Sequence, residues 1–363
     1  MPPVRPRLLA ALSLLLLAAC PAPEAPVASL QLGAARDTLV APFVGEVSGA
    51  AWLEGRRWVV LSPQDRAVRV VDFDKHTLAP FPPGAARELS QPFHLFRAGD
   101  SIYIADWERR RVTGWTLAGI AAGAVAAVDR FRGALPRERD AAGRWYFELR
   151  PPPGPDGAGN RDSAVIARTD LTGPTDTVAR LAPFDLVEVL SEGRRRLERR
   201  LLSGQDRWGV LPDGTVWVAR VTDNRVDWRG PTGPVVHGPQ LPDRVLPVTE
   251  NDRDLFLNRF DPGLRPTVAQ TPFAAIKPPF EDAVAAPDGA LWLVKSRAIG
   301  DTLRYYQVVN RRGGLAAEVS HPGLGAIVAL SPTHALVAEP FAQGVRLLSL
   351  PLPAGLPAPA AAP

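Results

Sequence analysis

The chain has 363 residues but only one cysteine, Cys20, and one methionine, Met1. A single cysteine excludes an internal disulfide, so the fold must be held by packing and hydrogen bonding. Lysine is almost missing, with Lys75, Lys277 and Lys295 alone, and arginine supplies the rest of the positive charge. The formal net charge is +4, or about +2 once Arg5 and Arg7 are set aside. So small an excess excludes an electrostatic case for nucleic acid as a partner. Beyond the first twenty residues no apolar run approaches the roughly twenty residues that a membrane-spanning helix needs. The five histidines, His76, His94, His237, His321 and His334, are never three to five residues apart, so zinc-ligand spacing is absent and loop or core roles are expected of them. A Gly-x-Ser-x-Gly elbow is also absent. Ser48-Gly49 follows Glu46 without a strand-to-helix turn, which leaves serine-hydrolase chemistry without support.

What is present starts at the N-terminus. Arg5 and Arg7 precede an apolar stretch from Leu8 to Ala19 that ends in small residues, the pattern of a bacterial export signal. Leu17-Ala18-Ala19-Cys20 resembles the bacterial lipobox, a branched apolar residue, two small ones and then Cys. That resemblance implies that Cys20 becomes the first mature residue and carries lipid on its sulfur and amino group. A plain secretory signal cut near Ala22 is the alternative. An uncleaved anchor is disfavoured, because about twelve apolar residues fall short of a core that needs about twenty. Pro21 stands where an acidic residue favours inner-membrane retention in some bacteria, which points to a periplasm-facing lipoprotein, of the outer membrane if the host has one.

Removal of residues 1–19 leaves about 344 residues, enough for one large or two ordinary domains. Pro21-Ala-Pro-Glu-Ala-Pro26 can build neither helix nor sheet, and the Pro/Ala tail 351–363 is similar. The expected organisation is a signal peptide (1–19), a lipidated Cys with a tether (20–45), a folded body (46–350) with an insertion near 240–280, and a disordered tail.

Six short apolar and aromatic runs recur in the body, each just after a turn signal. They are Trp58–Leu61, Ile102–Ala105, Trp145–Phe147, Val216–Ala219, Leu291–Val294 and Ala335–Ala338. Their centres are 44, 43, 71, 75 and 44 residues apart. A period of roughly 40–50 residues is that of four-stranded propeller blades. Asp213-Gly214 and Asp288-Gly289 supply tight hairpin turns, so the bulky run that follows reads as a strand buried between blades. An apolar strand precedes most runs, as at Val47–Trp52 and Ala326–Leu330, and another follows, as at Ala67–Asp72 and Gly344–Leu348.

The two long intervals hold either insertions, the favoured reading, or one extra blade each, which would make eight. In the first, 150–162 is a Pro/Gly loop and Arg194–Leu202 a charged strand or helix end, with anionic lipid as a conceivable contact. In the second, a cap-like Thr249, early acids, and Leu255, Phe256 and Phe260 at helical spacing read as a short helix. Ser29-Leu30-Gln31-Leu32 is expected to complete the last blade and close the ring.

The segment Gln91–Asp106, followed by Arg109 to Val112, resembles the six-bladed β-propellers of the NHL and related TolB-like families. It shows their pattern of Pro, an apolar strand, a Gly turn, an apolar-aromatic strand ending in Ala-Asp, then Arg and an apolar residue. The resemblance implies an all-β, six-bladed propeller over about 46–350. A sandwich pair is the competing all-β fold. Propellers host many unrelated activities, so the resemblance leaves function open.

Trp107 and Arg109, Arg110 and Arg111 follow the best-matching strand and are candidates for contact with a partner, against the plainer reading of solvated loop charge and a packed Trp. Asp72 with Asp74, and Glu250, Asp252 and Asp254, could hold a hard cation but read better as turn and helix-start acids. An enzymatic alternative comes from lactonases of the gluconolactonase or senescence-marker type, whose rings hold a divalent ion with a Glu, an Asn and an Asp. Glu46 opens the first inner strand as such a Glu would, and Asn224 or Asn310 could supply the amide. Against this, Val-Ser-Gly follows Glu46 where that family has Gly-Pro, and no matching Asp motif stands out. The expectation is therefore a lipid-anchored module that binds a protein or small ligand. It would need no cofactor, a divalent cation entering only under the lactonase reading.

Overall fold

The computed structural model describes residues 27–43, 45–82, 89–152, 164–191 and 193–357. Two N-terminal strands, β1 (Ala28–Gln31) and β2 (Asp37–Ala41), lead into six antiparallel blades. Blade 1 is β3 (Gly49–Glu54), β4 (Arg57–Ser62), β5 (Ala67–Asp72) and β6 (Thr77–Pro80). Blade 2 is β7 (Pro92–Ala98), β8 (Ser101–Asp106), β9 (Arg111–Thr116) and β10 (Ala121–Ala126). Blade 3 is β11 (Glu138–Arg139), β12 (Trp145–Leu149), β13 (Val165–Thr169) and β14 (Asp176–Arg180). A separate two-stranded hairpin, β15 (Leu186–Ser191) and β16 (Arg194–Arg199), comes next. Blade 4 is β17 (Arg207–Val210), β18 (Val216–Arg220), β19 (Arg225–Arg229) and β20 (Val235–His237). Two short helices follow, α1 (Glu250–Leu257) and α2 (Arg265–Val268). Blade 5 is β21 (Phe280–Ala285), β22 (Leu291–Lys295), β23 (Leu303–Val309) and β24 (Leu315–Pro322), and blade 6 contains β25 (Ala326–Leu330), β26 (His334–Phe341) and β27 (Gly344–Pro351). The innermost strands β3, β7, β11, β17, β21 and β25 touch in a closed cycle, which makes the protein a six-bladed β-propeller.

Each of the six apolar runs is the second strand of its blade, and each is almost wholly buried because blades pack on both of its faces. Gly214 and Gly289 adopt φ of +83° and +87° in the turns before β18 and β22, a conformation in which a Cβ would be strained. The core is six apolar clusters, one per gap between blades. Neither long interval adds a blade. The first holds the β15–β16 hairpin and the second the two helices, so the eight-bladed alternative is excluded.

Ring closure differs from expectation. The strand that completes blade 6 is β2, paired antiparallel to β27 from Asp37↔Ser349 to Ala41↔Val345. Ser29–Leu32 falls instead on β1 and its exit, and β1 pairs in parallel with the outer edge of blade 5, from Ala28↔Ala317 to Gln31↔Ser320. Residues 28–31 and 37–41, assigned by composition to a tether, thus belong to the ring. The physical reason is that blades 5 and 6 leave edge carbonyls and N–H groups, which these extended stretches satisfy. Cys20 and the signal lie outside the described residues.

The Ala105-Asp106 pair that carries the NHL-like resemblance has a structural task. Asp106 is 1% exposed, and its carboxylate accepts from Ser90 N (2.6 Å), Gln91 N (3.1 Å) and Arg109 N (3.0 Å), pinning the loop between blades 1 and 2 to the β8–β9 turn. Asp106→Ala, which strands three N–H groups, is expected to cost about 3 kcal/mol in urea denaturation, and Asp106→Asn, which keeps an acceptor, about half as much.

Candidate functional site

Every connection from an outer strand to the next inner strand lies at one end of the ring, together with the turns between second and third strands. Both insertions are of this type and flank blade 4. They are tied together. Leu201 N donates to Pro272 O (2.9 Å) and Ala274 N to Leu201 O (2.8 Å), a parallel bridge from the hairpin base to the helical insertion.

Local chemistry explains both insertions. Thr249 caps α1 in a reciprocal box with Asp252, and Lys277 Nζ reaches Asp252 Oδ1 (2.5 Å) and Arg297 O (2.8 Å). Phe256 contacts Phe260 and Phe273 at ring separations of 5.5 and 5.7 Å. The hairpin is anchored where Arg150 and Arg199 lie over the Phe184 ring at 4.2 and 4.9 Å. The outward side chains mix charge, as at Arg194–Arg196 and Arg253, with large apolar groups. Leu190 on the hairpin, and Val245, Leu255, Leu264 and Ile276 on the helical insertion, are each more than half exposed, and no residue of α1 is buried. Composition pointed to the 240–280 insertion; the hairpin was legible only as a charged segment.

Trp107 lies at the same end, 64% exposed and edge-on to Phe93 at 6.1 Å. The neighbouring arginines do not form one patch with it. Arg109 is exposed, Arg110 turns back over Gly133, and Arg111 opens β9 with its Nε buried and unpartnered among the described residues.

Each residue of the lactonase reading has its own surroundings. Glu46 is exposed in the loop before β3. The Asn224 amide donates to Leu241 O (2.8 Å), and Asn310 Oδ1 accepts from Arg312 N and Gly314 N within its own turn. Asp72 accepts from Asp74 N and Lys75 N, Asp74 pairs with Arg56, and Asp252 serves the α1 cap. No group of three His, Cys, Asp or Glu side chains among the described residues is placed to hold a metal.

A second polar cluster, absent from the sequence reading except for His94, lies beside the axis on β7, β11, β12 and β17. His94 Nε2 donates to Arg137 O (2.8 Å). Glu148 accepts from Arg137 (2.9 Å), Arg150 (2.6 Å) and Trp208 Nε1 (2.7 Å). Burial alone would raise the Glu148 carboxyl, but those three donors hold it below the usual range. Neighbouring Glu138, half-buried, has no such partner among the described residues, and burial pushes it up to about 8 despite Arg137. Burial, helped by the Arg137 charge, pushes His94 down to about 4. The signal for this cluster was the Arg-Glu-Arg run at 137–139, charged where an inner strand should be apolar.

No protein-family model matches the chain, and no curated protein matches it in sequence. Among solved structures it is similar to a gluconolactonase from Xanthomonas campestris, at 13% identity over 90% of this chain and 99% of that one, with a TM-score of 0.46. It is similar also to a virginiamycin B lyase from Staphylococcus aureus (11%, 87% and 99%, 0.43) and to a duf4221 family member from Bacteroides vulgatus (8%, 88% and 97%, 0.48). At these identities and TM-scores the likeness carries no argument about chemistry, and the propeller stands on its own strand pairing.

Stability should report the axial cluster. Glu138 keeps its proton in the folded state from its ordinary value near 4.5 up to about 8, so the folded form binds more protons and loses stability as pH rises through that range. His94 acts oppositely, adding stability as pH rises from about 4 to 6.5. Between pH 6.5 and 8 the Glu138 effect stands alone. Denaturation should show wild-type stability falling there by up to about 1.4 kcal/mol per pH unit, with Glu138→Gln flat over the same window.

Proposed function

We propose that this chain is an extracytoplasmic lipoprotein, anchored through Cys20 on the periplasmic side of the outer membrane, whose propeller is a binding or scaffold module and not a catalyst. The observation that carries this reading is the insertion-bearing end. Two insertions bridged by backbone hydrogen bonds hold five large apolar side chains out in solvent on a rigid ring. Exposed apolar side chains grouped on elaborated loops are what a partner surface supplies. Trp107 and the adjoining Arg109 would extend that surface at the same end. The lactonase alternative has less support, since Glu46 is exposed in a loop and Asn310 Oδ1 is spent within its own turn, although Asn224 keeps a buried Oδ1 without a partner among the described residues.

The test is cross-linking in intact cells, comparing the native chain with Cys20→Ser exported by the same signal. The anchored form should stay with membranes and capture one discrete partner through residues 186–199 and 240–280. Leu190→Asp combined with Leu255→Asp should abolish capture while shifting the melting temperature of the purified ring by no more than about 2 °C. Loss of membrane association without any dependence on Cys20 would remove the anchor, and capture indifferent to the two leucines would remove this face. Calcium, manganese or zinc should leave the melting temperature unchanged, whereas a rise abolished by Glu46→Gln would favour the hydrolase.

A further inference from the structure

The gap between blades 3 and 4 is closed unlike the other five. Its buried apolar cluster has seven members among the described residues, whereas the others have nine to fourteen. Where apolar side chains run out, a groove of about 260 Å³ opens between β14 and the facing side of blade 4. Pleating brings alternate residues of three strands into rows across its floor. Val216 stands opposite Arg229, which stands opposite Val235, and Val218 stands opposite Asp227, which stands opposite His237.

The charge in this groove is unbalanced. Asp227 is 3% exposed and spends both oxygens within the protein, accepting from Arg220 Nε (2.8 Å), Arg225 Nε (3.0 Å) and His237 Nδ1 (2.9 Å). Arg220 also bonds Asp206 at 2.8 Å and Arg225 pairs with Asp223 at 3.2 Å, so these two guanidiniums are fully neutralised by three carboxylates. Because the carboxylate takes His237 Nδ1–H, the ring's Nε2 is left without a protein partner among the described residues. Arg180 and Arg229 line the same groove, and neither guanidinium makes an ion pair or hydrogen bond among the described residues.

We propose that this groove binds a small organic anion, a carboxylate with an apolar body. The valine floor takes the body and removes it from water, while Arg229 and Arg180 take the carboxylate, for which the planar guanidinium fork is suited. A bare inorganic anion would leave the floor wet, and a neutral molecule of the same shape would leave the two arginines uncompensated. The site uses none of the exposed residues of the insertion-bearing end, so it stands independently of the function proposed above.

Titration calorimetry on the mature chain carrying Cys20→Ser tests this with 3-phenylpropionate, 3-phenylpropan-1-ol and inorganic phosphate. The acid should bind, and the alcohol and phosphate should bind at least about tenfold more weakly. Arg229→Gln should weaken the acid about tenfold at an unchanged melting temperature, and Arg180→Gln, at a more exposed position, by a smaller factor. Val235→Phe, which fills the groove, should abolish binding and serves should Arg229→Gln fail to fold. Equal binding of acid and alcohol, equal binding of acid and phosphate, no heat with the acid at millimolar concentration, or binding indifferent to these variants would each overturn the proposal.

Discussion

The pairing of β2 with β27 is the constraint on which everything else rests. Five cross-strand pairs join a strand near the N-terminus to one near the C-terminus, and only then does blade 6 have its outer strand. A propeller has no central core. Its apolar side chains lie in the gaps between blades, so each blade is stable only while both neighbours stay in place. Closing the last blade with the first stretch of chain makes every gap depend on every other. β1 adds a parallel fifth strand to blade 5, so the same N-terminal segment ties two adjacent blades.

Given a closed ring, the loops at one end can be elaborated cheaply, because their roots are fixed by buried carboxylates. Asp106 gathers three backbone N–H groups between blades 1 and 2. Asp206 repeats the device between blades 3 and 4, accepting from Ala182 N and Val221 N and pairing with Arg220. Such charge-assisted bonds are stronger than neutral ones and hold irregular backbone without an apolar core of its own. The hairpin grows from a root of this kind and the helical insertion from one tied by Asn224 to Leu241, which lets them keep large apolar side chains in solvent. Their mutual bridge at Leu201 and Phe273 turns two appendages into one surface.

Arginine dominates the electrostatics, and its consequences differ by place. At Glu148 three donors keep a carboxylate ionised in a half-closed site, while Glu138, on the adjacent strand of the same blade, is left to burial and holds its proton. Around Asp227 the acids neutralise Arg220 and Arg225, while Arg180 and Arg229 beside them stay unpaired among the described residues in the least apolar gap of the ring. One residue type thus serves as lock, counter-ion and unspent charge, according to how many carboxylates the fold brings within reach.

Blade number and strand placement were legible in the sequence, because a buried second strand must be apolar on both faces and the turn before it needs Gly or its equivalent. The Trp58, Trp217 and Trp292 strands announce themselves by that chemistry alone, and α1 by its cap at Thr249. Which strand closes the ring was not legible. Ser29–Leu32 and Asp37–Ala41 are both short stretches able to form strands, and only the spare edges of blades 5 and 6 decide between them. The insertion near 240–280 was visible as an interruption of the period, but its bridge to the hairpin joins residues about seventy positions apart and leaves no local trace. The groove is the extreme case. Asp227, Arg229, Val216 and His237 are ordinary strand residues until cross-strand register puts them in rows, and until blade 3 stops short of covering them. The sequence by itself determined the blades, since periodicity and turn chemistry are local; closure, the paired insertions and the charge balance of each gap were decided by tertiary structure, since they depend on which distant edges and carboxylates the ring brings together.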